Sequence, residues 1–402
     1  MPRFEPFPGI RYDVARADPA AVTAPPYDVI SPSDREQLVA ADPRNVVRID
    51  LPVPDDSGAD PYAQAAALWA AWQTDGTLVT DAGPSFTVYR MELVDDDGHA
   101  RHTTGVVGAL ALSPPGDDGI LPHEFTTPKA KTDRLDLLRT TTANLSAVWG
   151  LSPAPGLTDL LHCDEAPSIH FTDDTGVTHS VWTITDPDRL TAISTAVTAH
   201  PVVIADGHHR YETSLAYLGE RRVAADDGGP GVGAAEAVMC FMVELVDDEL
   251  AVGPIHRLLS GLPDGFDLPG ALAPFFELSP IDLTGAGTVA RLQAEGGLAL
   301  ITPDGDWLAR PRPEAMASAR DLDSSRLDVA LAALPSPTVV YQHGVDNIRG
   351  CIARGEAQAG VLLRPATVAQ IVDIAHGGER MPPKTTFFYP KPRTGIVFRD
   401  LH

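Results

Sequence analysis

Hydrophobic and polar positions alternate along this chain in two periods, and together they sketch a mixed architecture. Tyr62 to Gln73 is alanine-rich with Leu68, Trp69 and Trp72 at helical spacing, and Gly76 follows as a stop. Ser85–Leu93 and Ala100–Leu112 read as strands joined by a hairpin turn at Asp95-Asp96-Asp97-Gly98. A second hairpin is expected between Val238–Val246 and Leu250–Ile255 across Asp247-Asp248-Glu249. A third joins Leu298–Thr302 to Trp307–Arg310 across Pro303-Asp304-Gly305. Helices are expected over Ser325–Leu334 and from Thr367, where Val368, Ile371, Val372 and Ala375 share a face that ends at Gly377-Gly378. Hairpins mixed with helices predict an α+β fold with a mixed sheet rather than a strict βα alternation.

The first sixty residues break this periodicity. Val22 to Pro32 holds three prolines, which forbid a helix interior, and Ser33 is the expected N-cap of a short helix through Leu38. The extended stretch around Tyr27 and Asp28 either lines a site or packs as a surface loop. A composition shift at Gly261-Leu262-Pro263-Asp264-Gly265 marks the expected boundary between a domain over 1–260 and a C-terminal α+β domain over 261–402. The glycine-rich Asp226–Gly233 lacks the spacing of a dinucleotide fingerprint and reads as a surface loop.

Charge narrows the function. The 402 residues carry a formal net charge of −25, which repels nucleic-acid backbones. The three cysteines, Cys163, Cys240 and Cys351, are far apart and form no metal-binding or disulfide pattern. The N-terminus lacks the apolar core of a secretory signal, and no run of about 20 apolar residues spans a bilayer, so a cytoplasmic protein without a membrane partner is expected. A homo-oligomer is left open.

Against this acidic background, chemistry-bearing residues gather in three places. In Val202–Glu212 a β-branched run stops at Asp206-Gly207, and His208, His209 and Arg210 follow. Tyr211, Leu215 and Leu218 then recur as an amphipathic helix. Unpaired N–H groups and the positive dipole end make such a helix start a phosphate cradle, and Gly207 permits close backbone approach. Asp206 can cap the helix, hold a histidine tautomer or help bind a metal. If the local backbone is extended, the two imidazoles point to different sides, so donation to phosphate fits better than one shared metal. The alternative is a histidine pair serving only as polar caps. The second cluster, Leu121 to Arg134, concentrates Lys129, Lys131 and Arg134 beside the titratable His123 and Glu124, and Asn144 follows as a possible donor to a bound oxygen. A helix-capping loop with solvated lysines is its plainer reading. The third, Glu379 to Lys391, sets Lys384 beside two hydroxyls in a proline-fixed loop that either reaches a site or precedes an edge strand. His256-Arg257 and Tyr341-Gln342-His343 read as structural.

Ala24-Pro25-Pro26-Tyr27-Asp28-Val29-Ile30, Pro122-His123-Glu124, Lys131-Thr132-Asp133-Arg134-Leu135, Ala205 to Glu212 and Met381-Pro382-Pro383-Lys384 through Tyr389 together resemble a bacterial family defined by a domain of unknown function (1015). That resemblance supplies no activity. Asp-Gly-His-His-Arg at a strand–helix turn, with Pro-His-Glu upstream, is also similar to the free serine kinases of the ParB/sulfiredoxin-like superfamily. This implies a ParB/sulfiredoxin-like core, a phosphate loop formed by Asp206, Gly207, His208, His209 and Arg210, and Glu124 as general base on a serine hydroxyl. The interval from Glu124 to Asp206 is longer here than in the small kinases, which implies an insertion.

Phosphoryl transfer needs cations on the transferred group and a base for the attacking hydroxyl. The expectation is a phosphotransferase acting on serine, or on phosphoserine in reverse. Its phosphate partner is ATP, ADP or pyrophosphate, with Mg²⁺ as a phosphate-bound ion and no separate metal site. A phosphohydrolase of a small phosphorylated metabolite and a non-catalytic nucleotide-binding regulator are the alternatives.

Overall fold

The computed structural model describes the chain except residues 55–57, 95–97, 99, 115, 116, 118, 123–128, 227–230, 284–286 and 377–383. It divides into two compact units. The first comprises Met1–Val94, Ala100–Ala251 and Pro390–His402, and the second Asp95–His99 and Val252–Tyr389. The expected boundary at 261 therefore lies inside the second unit, and the last thirteen residues return to the first.

The first unit is built on a nine-stranded sheet. Its strands are β1 (Phe4–Glu5), β2 (Phe86–Val94), β3 (Ala100–Ala111), β4 (Ile120–Pro122), β5 (Val148–Ser152), β6 (Ile169–Thr172), β7 (Thr178–Ile184), β8 (Val202–Asp206) and β9 (Ala237–Glu244). They run in the order β4-β8-β5-β9-β3-β2-β7-β6, with β1 paired to β3. The β4–β8 and β5–β9 pairs are parallel and the others antiparallel, which makes the sheet mixed as the sequence implied. The central strand β5 is buried along its whole length, and β9 carries Val238, Met239, Cys240, Phe241 and Met242 at 2% exposure or less. Burial on both faces explains why these segments read as continuous apolar runs rather than alternating ones.

A second apolar cluster in the same unit surrounds Phe398, which is fully buried and meets Trp69 edge-on at 5.2 Å and Tyr12 at 5.9 Å. The Trp69 helix spans Pro61–Thr74, with the Asp60 carboxylate capping its first N–H groups. The early helix spans Pro32–Ala41, and its cap is Ser31 rather than Ser33. Ser31 and Asp34 form a reciprocal capping box with Pro32 at the first helical position, where its missing N–H costs nothing.

The second unit holds a fully antiparallel six-stranded sheet of β10 (His256–Ser260), β11 (Phe276–Pro280), β12 (Leu298–Thr302), β13 (Gly305–Pro311), β14 (Thr338–Gln342) and β15 (Ala359–Leu362). Its order is β11-β13-β12-β15-β10-β14. The expected β12–β13 hairpin is present, as is β2–β3 in the first unit. The expected partner of β9 is not: Ala251–Pro254 pairs with Thr386–Tyr389, because a short 3-10 turn at Asp247–Glu249 redirects the chain instead of reversing it tightly. The C-terminal helices span Asp323–Leu331 and Val368–His376. Among the described residues no helix is long and apolar enough to cross a membrane.

Candidate active site

β8 ends at Asp206, and helix α2 (His208–Asp226) begins two residues later. Gly207 turns the chain with φ of +81°, a left-handed conformation that a side chain resists. A Cβ there would lie 3.0 Å from Arg210 Nε, so glycine also makes room for the guanidinium. The helix is held down by Tyr211, 2% exposed, whose hydroxyl accepts from Ser113 N at 3.1 Å and donates to Ser113 O at 2.8 Å. His208 and His209 are half-buried in the first turn. Because the segment is helical and not extended, the two imidazoles leave the axis about 100° apart.

The Asp206 carboxylate organises cations. Arg210 Nη2 donates to Asp206 Oδ2 at 2.8 Å, and Lys391 Nζ donates to Asp206 Oδ1 at 3.0 Å and to Asp28 Oδ2 at 3.2 Å. Arg210 Nη1 also donates to the carbonyl of Ala147, just before β5. Burial alone would raise the Asp206 pKa, but Lys391, Arg210 and His208 lower it to about 2. Burial also opposes the positive charges of Arg210 and Lys391, yet the neighbouring carboxylates hold both pKa values above their ordinary ones. The site therefore keeps Arg210 and Lys391 charged beside the ionised Asp206 carboxylate at neutral pH.

Several expected residues meet here. The Arg134 guanidinium, on helix α1 (Lys129–Thr141), stacks 4.1 Å over the Tyr27 ring, and burial pushes the Tyr27 hydroxyl pKa up. Asp28 sits in the same 3-10 turn as Tyr27, so the proline-rich segment lines the site. Lys129 and Lys131 lie in the first turn of α1. Asn144 is committed structurally: its Oδ1 accepts from Met239 N at 2.9 Å and from Arg399 Nη1 at 3.4 Å. His123 and Glu124 lie outside the described residues, but they directly follow β4. That strand is parallel to β8, with Pro122 beside Ile204. Lys384 belongs to the second unit, at φ of +58°, with its carbonyl accepting from Arg257 Nη2 at 3.0 Å. In that unit His256 Nδ1 accepts from Leu363 N at 3.2 Å, a structural role as read from the sequence.

Two contributors were not singled out from the sequence, although Lys391 closes the third cluster. Lys391 stands between two prolines, and that flanking fixation was the available sign. Asp50, 3% exposed, takes Arg134 Nη1 on its carbonyl at 2.6 Å and on Oδ1 at 3.4 Å, and it closes the four-residue helix Val47–Asp50 with nothing in the local sequence to mark it. Among the described residues no three His, Cys, Asp or Glu side chains group as metal ligands, and the Asp28 and Asp206 carboxylates are bridged by an ammonium. The described residues thus do not build a protein-held Mg²⁺ site.

An α+β protein with a mixed sheet and a cation-lined strand–turn–helix is the class that this fold and site define. The chain belongs to the family described as "Protein of unknown function (DUF1015)", whose model matches residues 4–330. No curated protein matches the chain. Among solved structures it is similar to a free serine kinase in complex with AMP, at 12% identity over 71% of this chain and 89% of that one, with a TM-score of 0.37. It is also similar to SbnI with a C-terminal truncation from Staphylococcus aureus (10% identity, 72% and 85% covered, TM-score 0.39). A conserved hypothetical protein from Pyrococcus furiosus is a further match (14%, 70% and 90%, TM-score 0.36).

Proposed function

We propose that this protein is a phosphotransferase that moves a phosphoryl group between a nucleotide or pyrophosphate and the hydroxyl of free serine. The observation that carries the reading is the Asp206–Arg210 turn. A left-handed glycine opens a helix N-terminus, and Arg210 and Lys391 stand beside it as charge-stabilised cations. Such a turn offers N–H donors and positive charge to equatorial phosphoryl oxygens, which is most of what phosphoryl transfer requires of a protein.

In this reading the Glu124 carboxylate accepts the proton of the serine hydroxyl as its oxygen bonds to phosphorus, and the bond to the departing phosphate oxygen breaks. The order along the chain supports Glu124: it follows β4 in sequence, and β4 pairs in parallel with β8, the strand that leads into the Asp206–Arg210 turn. Asp206 acts by positioning Arg210 and Lys391. No step is routed through a protein-held metal; Mg²⁺ would arrive on the donor's phosphates.

Incubating the protein with Mg²⁺, serine and, in turn, ATP, ADP and pyrophosphate, with products followed by ³¹P NMR, tests the reading. Phosphoserine is the expected product with at least one donor. In Glu124→Gln its formation should stop while donor binding persists. Inorganic phosphate as the sole product overturns the transferase in favour of a hydrolase. Donor binding without turnover overturns it in favour of a regulator.

A further inference from the structure

Beside Arg210, the first unit contains a partly open cavity of about 50 Å³ where α1 and α2 pack together. Asp50, Arg134, Asn144, Arg210, Thr213 and Ser214 are its polar lining. A water molecule occupies about 10–15 Å³ on this measure, so the space suits a few waters or one small anionic group. Most of the lining is already partnered. Ser214 Oγ donates to Arg210 O at 2.9 Å, Asn144 Oδ1 accepts from Met239 N, and Asp50 Oδ2 accepts from Thr394 Oγ1 at 3.4 Å. Thr213 is different. It is 4% exposed, and its Oγ1 is buried with no hydrogen-bond partner among the described residues. Burial without a partner is costly for a hydroxyl, so native structures rarely keep one unless something else arrives.

The charges around that hydroxyl select the arrival. The side chains of Arg134 and Arg210 are 5% and 11% exposed, and Asp50 is the one acid in the lining. Both guanidiniums already face carboxylates, Arg134 against Asp50 and Asp133 and Arg210 against Asp206, so the lining offers N–H donors to a small anion and no surplus charge for a dianionic phosphate. Guanidinium forks also match the planar geometry of a carboxylate.

We infer that this cavity is a carboxylate subsite, in which the Thr213 hydroxyl donates to the carboxylate of a small amino or hydroxy acid and the guanidiniums of Arg134 and Arg210 flank it with N–H donors. The inference rests on the proposed function only for naming serine as the acid.

Ligand-observed NMR on the full chain tests it, with acetate, L-serine, the carboxylate-free serinol and inorganic phosphate as probes. Acetate and L-serine should bind and serinol should not. Thr213→Val, which keeps the shape and removes the hydroxyl, should weaken acetate and L-serine about tenfold, as expected for one lost hydrogen bond to a charged group. It should melt no lower than the wild type without ligand, since the buried hydroxyl it removes is unpaired. Equal binding of serine and serinol, unchanged acetate affinity in Thr213→Val, or loss of phosphate binding alone in that variant overturns the subsite. If acetate behaves as expected and no donor transfers phosphate to serine, the subsite stands and the phosphotransferase falls. If transfer proceeds with the same KM for serine in Thr213→Val, the reverse holds.

Discussion

At the scale of single residues, Gly207 and Asp206 do most to set the site. Adding a Cβ at position 207 forces a left-handed backbone on an alanine and pushes it against Arg210. Gly207→Ala should therefore cost about 1–2 kcal/mol in urea unfolding and weaken donor binding. Unchanged stability would mean that the turn relaxes freely. Asp206 makes a pH prediction. Its folded pKa of about 2 lies below its ordinary 3.8, so its contribution is present above pH 4 and is lost as the pH falls towards 2. That contribution is on the order of 2 kcal/mol. The stability gap between the wild type and Asp206→Asn should thus narrow steadily below pH 4, and a gap that widens there would refute the assignment. Arg210 and Asp206 were legible because the motif crowds polar residues at one turn. Lys391, 185 positions away from Asp206, was not, since no local pattern reveals a partner that distant.

At the scale of elements, the periodic segments were the most legible. The helix of Trp69 and Trp72, the β2–β3 and β12–β13 hairpins and the start of α2 all follow from local period and turn chemistry. Caps were less so. Ser31 and Ser33 both suit an N-cap, and the choice fell to Ser31 because Pro32 fits the first helical position and Asp34 completes the box. Ser31→Ala should lower stability by about 1 kcal/mol in a denaturant titration, whereas Ser33→Ala should stay within about 0.5 kcal/mol. Equal losses would deny the capping box. The expected hairpin after β9 failed for a different reason: an acidic three-residue turn is compatible with reversal or with redirection, and strand partners elsewhere decide which.

At the scale of the whole molecule, the chain's return is the consequential feature. Pro390–His402 leaves the second unit and completes the first. It inserts Phe398 between Trp69 and Tyr12 and pairs Arg399–Asp400 with Ala143–Asn144. It also places Arg393 on Asp173 at 3.0 Å and on Thr23 Oγ1 at 2.9 Å. Phe398→Ala should cost about 3–5 kcal/mol. A chain ending at Tyr389 should lose the cooperative unfolding transition seen by the fluorescence of Trp69 and Trp72. A native-like transition in that shortened chain would show that the return is dispensable.

The sequence by itself determined what depends on neighbours in the chain: the α+β class, the strand–glycine–helix turn, and the gathering of basic residues in an acidic protein. Only the tertiary structure decided that Tyr27, Asp28, Arg134 and Lys391 meet at that turn, and that Thr213 lines a cavity with no hydrogen-bond partner among the described residues. The reason is physical. Helix and strand propensities act over a few residues, whereas ion pairs and cavities depend on which distant segments a core brings together.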